Sequence, residues 1–170
     1  PEQVAERARA RFCRGARETI VNTGQWPLSN WRAKPYTDEA FEAAVSRMLD
    51  EMRAELGEGG RLWVLSIDFN PLAGCSTACP PADWRTPHRI SSFNHILERA
   101  AAARAPQVTF VDLARLSQPL WDAAPDWNHP PASVTLAQSA QLLDIILPAI
   151  PPPEGAQLDV RRRARGAKSF

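Results

Sequence analysis

Leu62-Trp63-Val64-Leu65-Ser66-Ile67 is a nearly unbroken apolar run. A strand solvated on one face alternates apolar and polar side chains, whereas a strand covered on both faces has no need to. The run therefore predicts a central strand in a sheet with helices on either side. Upstream, Phe41, Val45, Met48, Leu49, Met52 and Leu56 recur on one helical face. Thr37 stands where an N-cap is needed, Asp38 and Glu39 fall in the first turn, and Gly57 supplies a stop. Before that helix, Thr19-Ile20-Val21-Asn22 is a short strand signal closing on an Asn-Thr-Gly turn. Gln25 to Trp31 continues as an aromatic loop, and Glu2 to Phe12, with Val4, Ala8 and Phe12 at helical spacing, opens the chain as a helix.

Downstream of the apolar run, a long loop from about Asp68 to Arg89 holds Cys75, Cys79, Trp84 and His88. Loops of this length inside compact domains usually carry function. Ile90, Phe93, Leu97 and Ala100 mark a second amphipathic helix, and Val108 to Leu113 a third strand. A last helix is expected from about Ser133, with Leu136, Leu143, Ile146 and Leu147 inward and Pro148 and Pro151-Pro152-Pro153 ending it. Strands alternating with helices predict an α/β domain with a parallel sheet and right-handed crossovers. In such sheets sites form beyond the carboxyl ends of the strands. The Asn22 turn, the Asp68 loop and the region after Asp112 all fall there.

The chain of 170 residues is long enough for one domain with a sizeable core. Apolar content of 44% and charged content of 23% are those of a globular chain. A net charge of +1 gives no reason to expect a nucleic-acid or membrane partner for the body of the chain. Sixteen prolines and six tryptophans suit long, fixed loops with aromatic surfaces, though most of the tryptophans are expected to fill the core. The longest apolar run, Leu142 to Ile150, is interrupted and too short to cross a bilayer. No signal peptide is visible, and the start at Pro1 suggests a piece of a longer protein. Of the three cysteines, Cys75 and Cys79 are expected as a loop disulfide ahead of free thiols, with a metal site behind both. Cys13 has no evident partner. Residues 153–170 turn polar and basic, with Arg161-Arg162-Arg163, and are expected as a solvated tail.

The stretch with the most chemical content is Ala124-Pro125-Asp126-Trp127-Asn128-His129-Pro130-Pro131. It sets a carboxylate three residues before an imidazole. Asp126 would orient the ring and stabilise its charged form, and His129 would move a proton for a serine nucleophile. A lone histidine in a proline-rich loop is ordinarily a surface residue; the paired acid and the strand context favour catalysis. Asp112 competes as the acid partner, but the spacing favours Asp126. His88 and His95 carry no such context, and His95 on its helix would simply cap or pack. A metal site from His88, Asp126 and His129 has no supporting ligand spacing, so no metal or other cofactor is expected.

Asn22-Thr23-Gly24-Gln25-Trp26 resembles the Asn-Thr-Gly-His-Trp block of the PC-esterase group, which includes the plant trichome-birefringence-like polysaccharide O-acetyltransferases within the SGNH (GDSL-like) hydrolase superfamily. Trp84-Arg85-Thr86-Pro87, Phe93-Asn94 and Asp126-x-x-His129 resemble further segments of that group. The resemblance spans about Thr19 to Ile150. It implies a three-layer, flavodoxin-like parallel sheet flanked by helices, incomplete at its N-terminus, over residues 1–152. It implies that His129 is the general base and Asp126 its orienting acid. Asn22, with Gly24 in the same turn, would form the oxyanion and substrate-binding edge, and Trp26 would wall the acyl or sugar pocket. The bland alternative for Asn22 is a turn residue tolerating a left-handed backbone.

Two features depart from the group. Gln25 stands where plant members often carry His, and the Gly-Asp-Ser nucleophile block is absent. Only 21 residues precede Asn22, and none of Ser29, Ser46 or Ser66 has that context. The expectation is the C-terminal part of a domain that moves an acyl group, expected to be acetyl, to or from carbohydrate hydroxyls, with the serine outside this stretch. The substrate would be an acylated glycan or other acyl ester, with an acyl donor if the reaction is transfer. The alternative is a catalytically inactive glycan-binding or protein-interaction domain on the same fold. The family implies the secretory lumen, the Golgi included, or the extracellular space, with any membrane anchor outside this stretch.

Overall fold

Three short strands pair in parallel in the order β1 (Glu18–Asn22), β2 (Arg61–Leu65) and β3 (Val108–Val111). The computed structural model describes residues 14–28, 36–69, 86–120 and 131–150. Asn22 is level with Leu65, and Leu65 with Val111. All three strands therefore point their carboxyl ends at one rim.

α1 (Gln25–Leu28) follows β1 directly, α2 (Asp38–Glu55) joins β1 to β2, and α3 (Pro87–Ala102) joins β2 to β3. Because side chains alternate along a strand, Thr19 and Val21 of β1, Leu62 and Val64 of β2 and Val108 of β3 share one face. α2 and α3 cover it with Phe41, Val45, Leu49, Ile90, Phe93, Ile96 and Leu97, all buried. Phe41 and Phe93 stack with centroids 3.8 Å apart, which joins the two helices. Arg104 joins them again at the far end. Its guanidinium donates to both carboxylate oxygens of Asp50 at 2.8 and 2.7 Å and to the carbonyls of Ser46 and Ala100. Hydrogen bonding to Arg104 holds the Asp50 carboxyl below its ordinary range.

The other face carries Trp63, Leu65 and Val111, which pack with Leu113, Leu142, Ile146 and Ala149. α4 (Ala114–Ser117), a 3-10 turn over Gln118–Leu120, and α5 (Ala132–Ile146) with its 3-10 extension Leu147–Ala149 follow β3. Helices thus lie on both faces, and the predicted α/β class with a parallel sheet is the observed one. α5 reaches β2 and β3 but leaves Ile20 of β1 52% exposed.

Thr37 is the N-cap of α2, its hydroxyl accepting from the Ala40 amide at 3.2 Å. Several expectations need correction. Gly57 does not end α2 through a left-handed backbone: Leu56 is the C-cap, in an extended conformation. Gly57 is needed because a Cβ there would meet the Gly15 carbonyl at 2.8 Å, where the helix exit crosses the approach to β1. The loop after β2 stops before Arg89. Thr86 caps α3 by accepting from the Arg89 amide, and Pro87 takes the first turn, where a missing N–H costs nothing. His88 and Arg89 are therefore helical. The segment expected to be an aromatic loop begins with α1, whose Leu28 is buried.

The largest correction concerns α5. Its inward side is Val134, Gln138 and Ile146, whereas Leu136, Leu143 and Leu147 are 72%, 53% and 58% exposed. The helix is apolar on two opposite sides, so periodicity leaves its rotation undecided. The buried amide of Gln138 decides it, by donating to Asp68 Oδ1 at 2.6 Å and to the Leu113 carbonyl at 3.1 Å. This rotation predicts unequal truncations, measured by urea unfolding. Ile146→Ala should cost about 2–5 kcal/mol as a buried large-to-small change, and Leu143→Ala about 0.5 kcal/mol or less as an exposed one.

Candidate functional site

The carboxyl rim is built from short polar segments just past each strand. After β1, the exposed Asn22 ends the strand, and the turn Thr23-Gly24 leads into α1. No described residue other than glycine has a positive φ, so Asn22 is not a left-handed turn residue. Gly24 takes that role at φ 111, in a position with no room. A Cβ built there lies 2.2 Å from Ile67 Cδ1 and 3.4 Å from Phe41 Cζ. The turn is thereby pressed against the residue that follows β2.

After β2, buried Ser66 and Ile67 lead to Asp68. Asn94 of α3 treats Ile67 as a strand partner would. Its Oδ1 accepts from the Ile67 amide at 2.7 Å, and its Nδ2 donates to the Ile67 carbonyl at 3.0 Å. Ser66 is spent as a cap: its hydroxyl oxygen accepts from the Leu113 and Ala114 amides at 2.9 and 2.8 Å, satisfying the otherwise uncapped start of α4. Buried and doubly bonded, Ser66 is no nucleophile.

Asp68 joins the pieces. Its backbone carbonyl accepts from Gln25 Nε2 at 3.3 Å, tying the Asn22 turn to the end of β2. Its Oδ1 accepts from Gln138 Nε2 of α5 at 2.6 Å and from the Ser117 hydroxyl of α4 at 3.2 Å, the latter shared with the Ala114 carbonyl at 2.9 Å. Burial pushes the Asp68 carboxyl above its ordinary value, while the bonds from Gln138 and Ser117 pull it down. No cation pairs with it among the described residues. Gln25 Oε1 is also buried without a described partner. After β3, Asp112 is half-buried and pairs with Arg115 at 2.8 Å, which occupies the alternative acid for a histidine.

Asp126 and His129 lie outside the described residues, as do all three cysteines and residues 153–170; Trp26 lies on α1, and its side chain is likewise outside. The described flanks of the Asp126–His129 segment can be placed. The turn over Gln118–Leu120 and the start of α5 follow Ser117 and precede Gln138, the two side chains that share Asp68 Oδ1. His88 is exposed at the start of α3, and His95 is exposed within α3, its Nδ1 3.5 Å from a Glu98 carboxylate oxygen. Among the described residues no group of His, Cys, Asp and Glu is placed to hold a metal ion, and no helix is long and apolar enough to cross a membrane. Asp68, Gln138 and Asn94 are the rim residues that sequence reasoning missed. The position of Asp68 directly after a buried strand hinted at it, and Asn94 stood in the Phe93-Asn94 segment of the resemblance without a role; no signal pointed to Gln138.

Compared with models of known protein families and with curated proteins, the chain matches none. The family resemblance stands on the quoted residues alone.

A raised carboxyl pKa means that folding favours protonated Asp68. Stability should then fall as pH rises from the unfolded value of 3.8 through the folded one. Asp68→Asn, which keeps an acceptor for Gln138, should flatten that slope and leave the chain at least as stable at pH 7, read from urea midpoints across pH 4–7. A variant less stable at pH 7 with the slope intact would contradict this. Gly24→Ala should cost roughly 2–4 kcal/mol, combining backbone strain with overlap against Ile67.

Proposed function

We propose that this chain is the C-terminal part of an SGNH-like acyl-esterase or O-acyltransferase domain, with a three-layer, flavodoxin-like sheet and a nucleophilic serine on a segment outside these 170 residues. The observation that carries the reading is the placement of Asn22. It stands exposed at the carboxyl end of β1, level with the ends of β2 and β3, in a turn that Gly24 holds against Ile67. An amide at that place donates to an oxyanion that forms above the rim. The Asn-Thr-Gly block and the Asp126-x-x-His129 pair supply the rest by resemblance.

The roles follow from the chemistry. The serine hydroxyl attacks the acyl carbonyl as His129 Nε2 takes its proton. The Asn22 side-chain amide steadies the negative charge that develops on the carbonyl oxygen. As the intermediate collapses and the acyl carbon–oxygen bond to the sugar breaks, His129 returns the proton to the departing sugar oxygen, and Asp126 accepts from the other ring nitrogen throughout. Water or a second sugar hydroxyl resolves the acyl-enzyme, giving hydrolysis or transfer. Substrates are acylated glycans, with acetyl as the acyl group, and the compartment is the secretory lumen or the extracellular space.

The test is turnover of an acetylated oligosaccharide by the polypeptide that includes the serine-bearing segment. His129→Ala should abolish it, and Asn22→Ala should lower kcat about 100- to 1,000-fold with little change in KM. Unchanged kcat in either variant, with the fold intact by circular dichroism, would remove that residue from the mechanism.

A further inference from the structure

We propose that the cavity on the outer side of β3 binds a small ligand that carries a single ammonium group on an apolar body. The cavity holds about 370 Å³ and lies between α3 and the β3–α4 segment. That volume falls within the range for small-molecule pockets, about 300–1,000 Å³. Its apolar part comes from Phe110 on β3 and Phe69 just past β2, both half-buried and packed against the main core. Aromatic side chains so fixed offer an apolar surface at little entropic cost, and a ring face also attracts a cation. The opposite wall is polar: Ser91, Asn94, His95 and Glu98 recur at helical spacing along one side of α3.

The charge balance of the lining selects the ligand class. With histidine neutral at pH 7, the charged side chains are Glu98, Asp112 and Arg115. Asp112 and Arg115 cancel, their carboxylate and guanidinium being 2.8 Å apart. Glu98 is left over. Among the described residues its only ion-pair neighbour is the His95 imidazole, at 3.5 Å. The cavity therefore carries one negative charge with no matching cation.

A ligand laid against the two rings takes water from the carboxylate beside it, and that loss needs a partner. A neutral ligand removes the water and returns no charge. An anion adds repulsion. An ammonium group returns the missing charge, and its three N–H donors find acceptors in the Glu98 carboxylate, the Ser91 hydroxyl and the Gln118 side-chain carbonyl. A second ammonium exceeds the one charge on offer and meets the Arg115 guanidinium. The rings take the apolar body. None of these side chains takes part in the acyl-transfer steps, so the ammonium site stands or falls separately from them.

The test is an NMR titration of the isotope-labelled chain with benzylamine and pentylamine, and separately with benzyl alcohol, benzoate and cadaverine. At least one of the two monoamines should shift the Asn94 and Gln118 side-chain amides and the Phe69 and Phe110 ring signals saturably. It should bind about tenfold more tightly than the alcohol or benzoate, the worth of a hydrogen bond to a charged group. Glu98→Gln, at an exposed position, should remove that advantage. Arg115→Gln should strengthen amine binding roughly two- to fivefold, because Asp112 then also lacks a partner. No saturable shift with either monoamine, benzyl alcohol or benzoate binding as tightly, or amine binding unchanged in Glu98→Gln would overturn the proposal. Cadaverine binding more tightly than pentylamine would overturn the single-charge assignment.

Discussion

Parallel pairing in level register is the constraint from which the site follows. Because Asn22, Leu65 and Val111 stand in one row, everything that leaves a strand leaves at the same edge. The return helices must then begin at that edge, and their capping needs fall there too. Ser66 meets one such need, its hydroxyl oxygen accepting from the amides of Leu113 and Ala114 where α4 begins. Asn94 meets another by pairing both backbone groups of Ile67 after the ladder has ended. The rim is polar because a parallel sheet ends many backbone groups in one place, and each of them wants a partner.

Within that rim, Asp68 is the group whose placement stability alone does not explain. A carboxylate that is partly buried with no cation beside it among the described residues opposes folding at neutral pH, and its two donors offset only part of that cost. Carboxyls raised by burial are found at functional sites more often than elsewhere. Asp68 also fixes geometry, because one oxygen holds Ser117 of α4 and Gln138 of α5 while its carbonyl holds Gln25. The elements that flank the Asp126–His129 segment are tied, through one residue, to the turn that presents Asn22.

Local patterns made much of the fold legible. Phe41, Val45 and Leu49 are buried as their spacing predicts, Thr37 caps α2, and the Leu62–Ile67 run is the central strand with its end. What was not legible depends on long-range partners or on ambiguous periodicity. Leu136 and Leu143 read as inward because both sides of α5 are apolar; the rotation was settled by Gln138, a polar residue that no hydrophobic pattern would place in a core. The capping pair Thr86-Pro87 was a local signal overlooked inside a loop rich in turn residues. In the site, Asn22 was found at the rim where the strand reading put it. Asp68 and Asn94 escaped because their roles rest on contacts 27 to 70 residues apart in the chain.

The central claim is that Asn22 and His129 attend the same reacting carbonyl. An alkyl phosphonate that forms a stable adduct with the serine mimics the tetrahedral intermediate, and nitrogen-15 NMR reads both residues in that adduct. The account predicts that the Asn22 side-chain amide and the His129 ring protons move strongly downfield together, as an oxyanion donor and a protonated imidazole should. An adduct that moves one signal and not the other, or a polypeptide that forms no adduct at all, would contradict it.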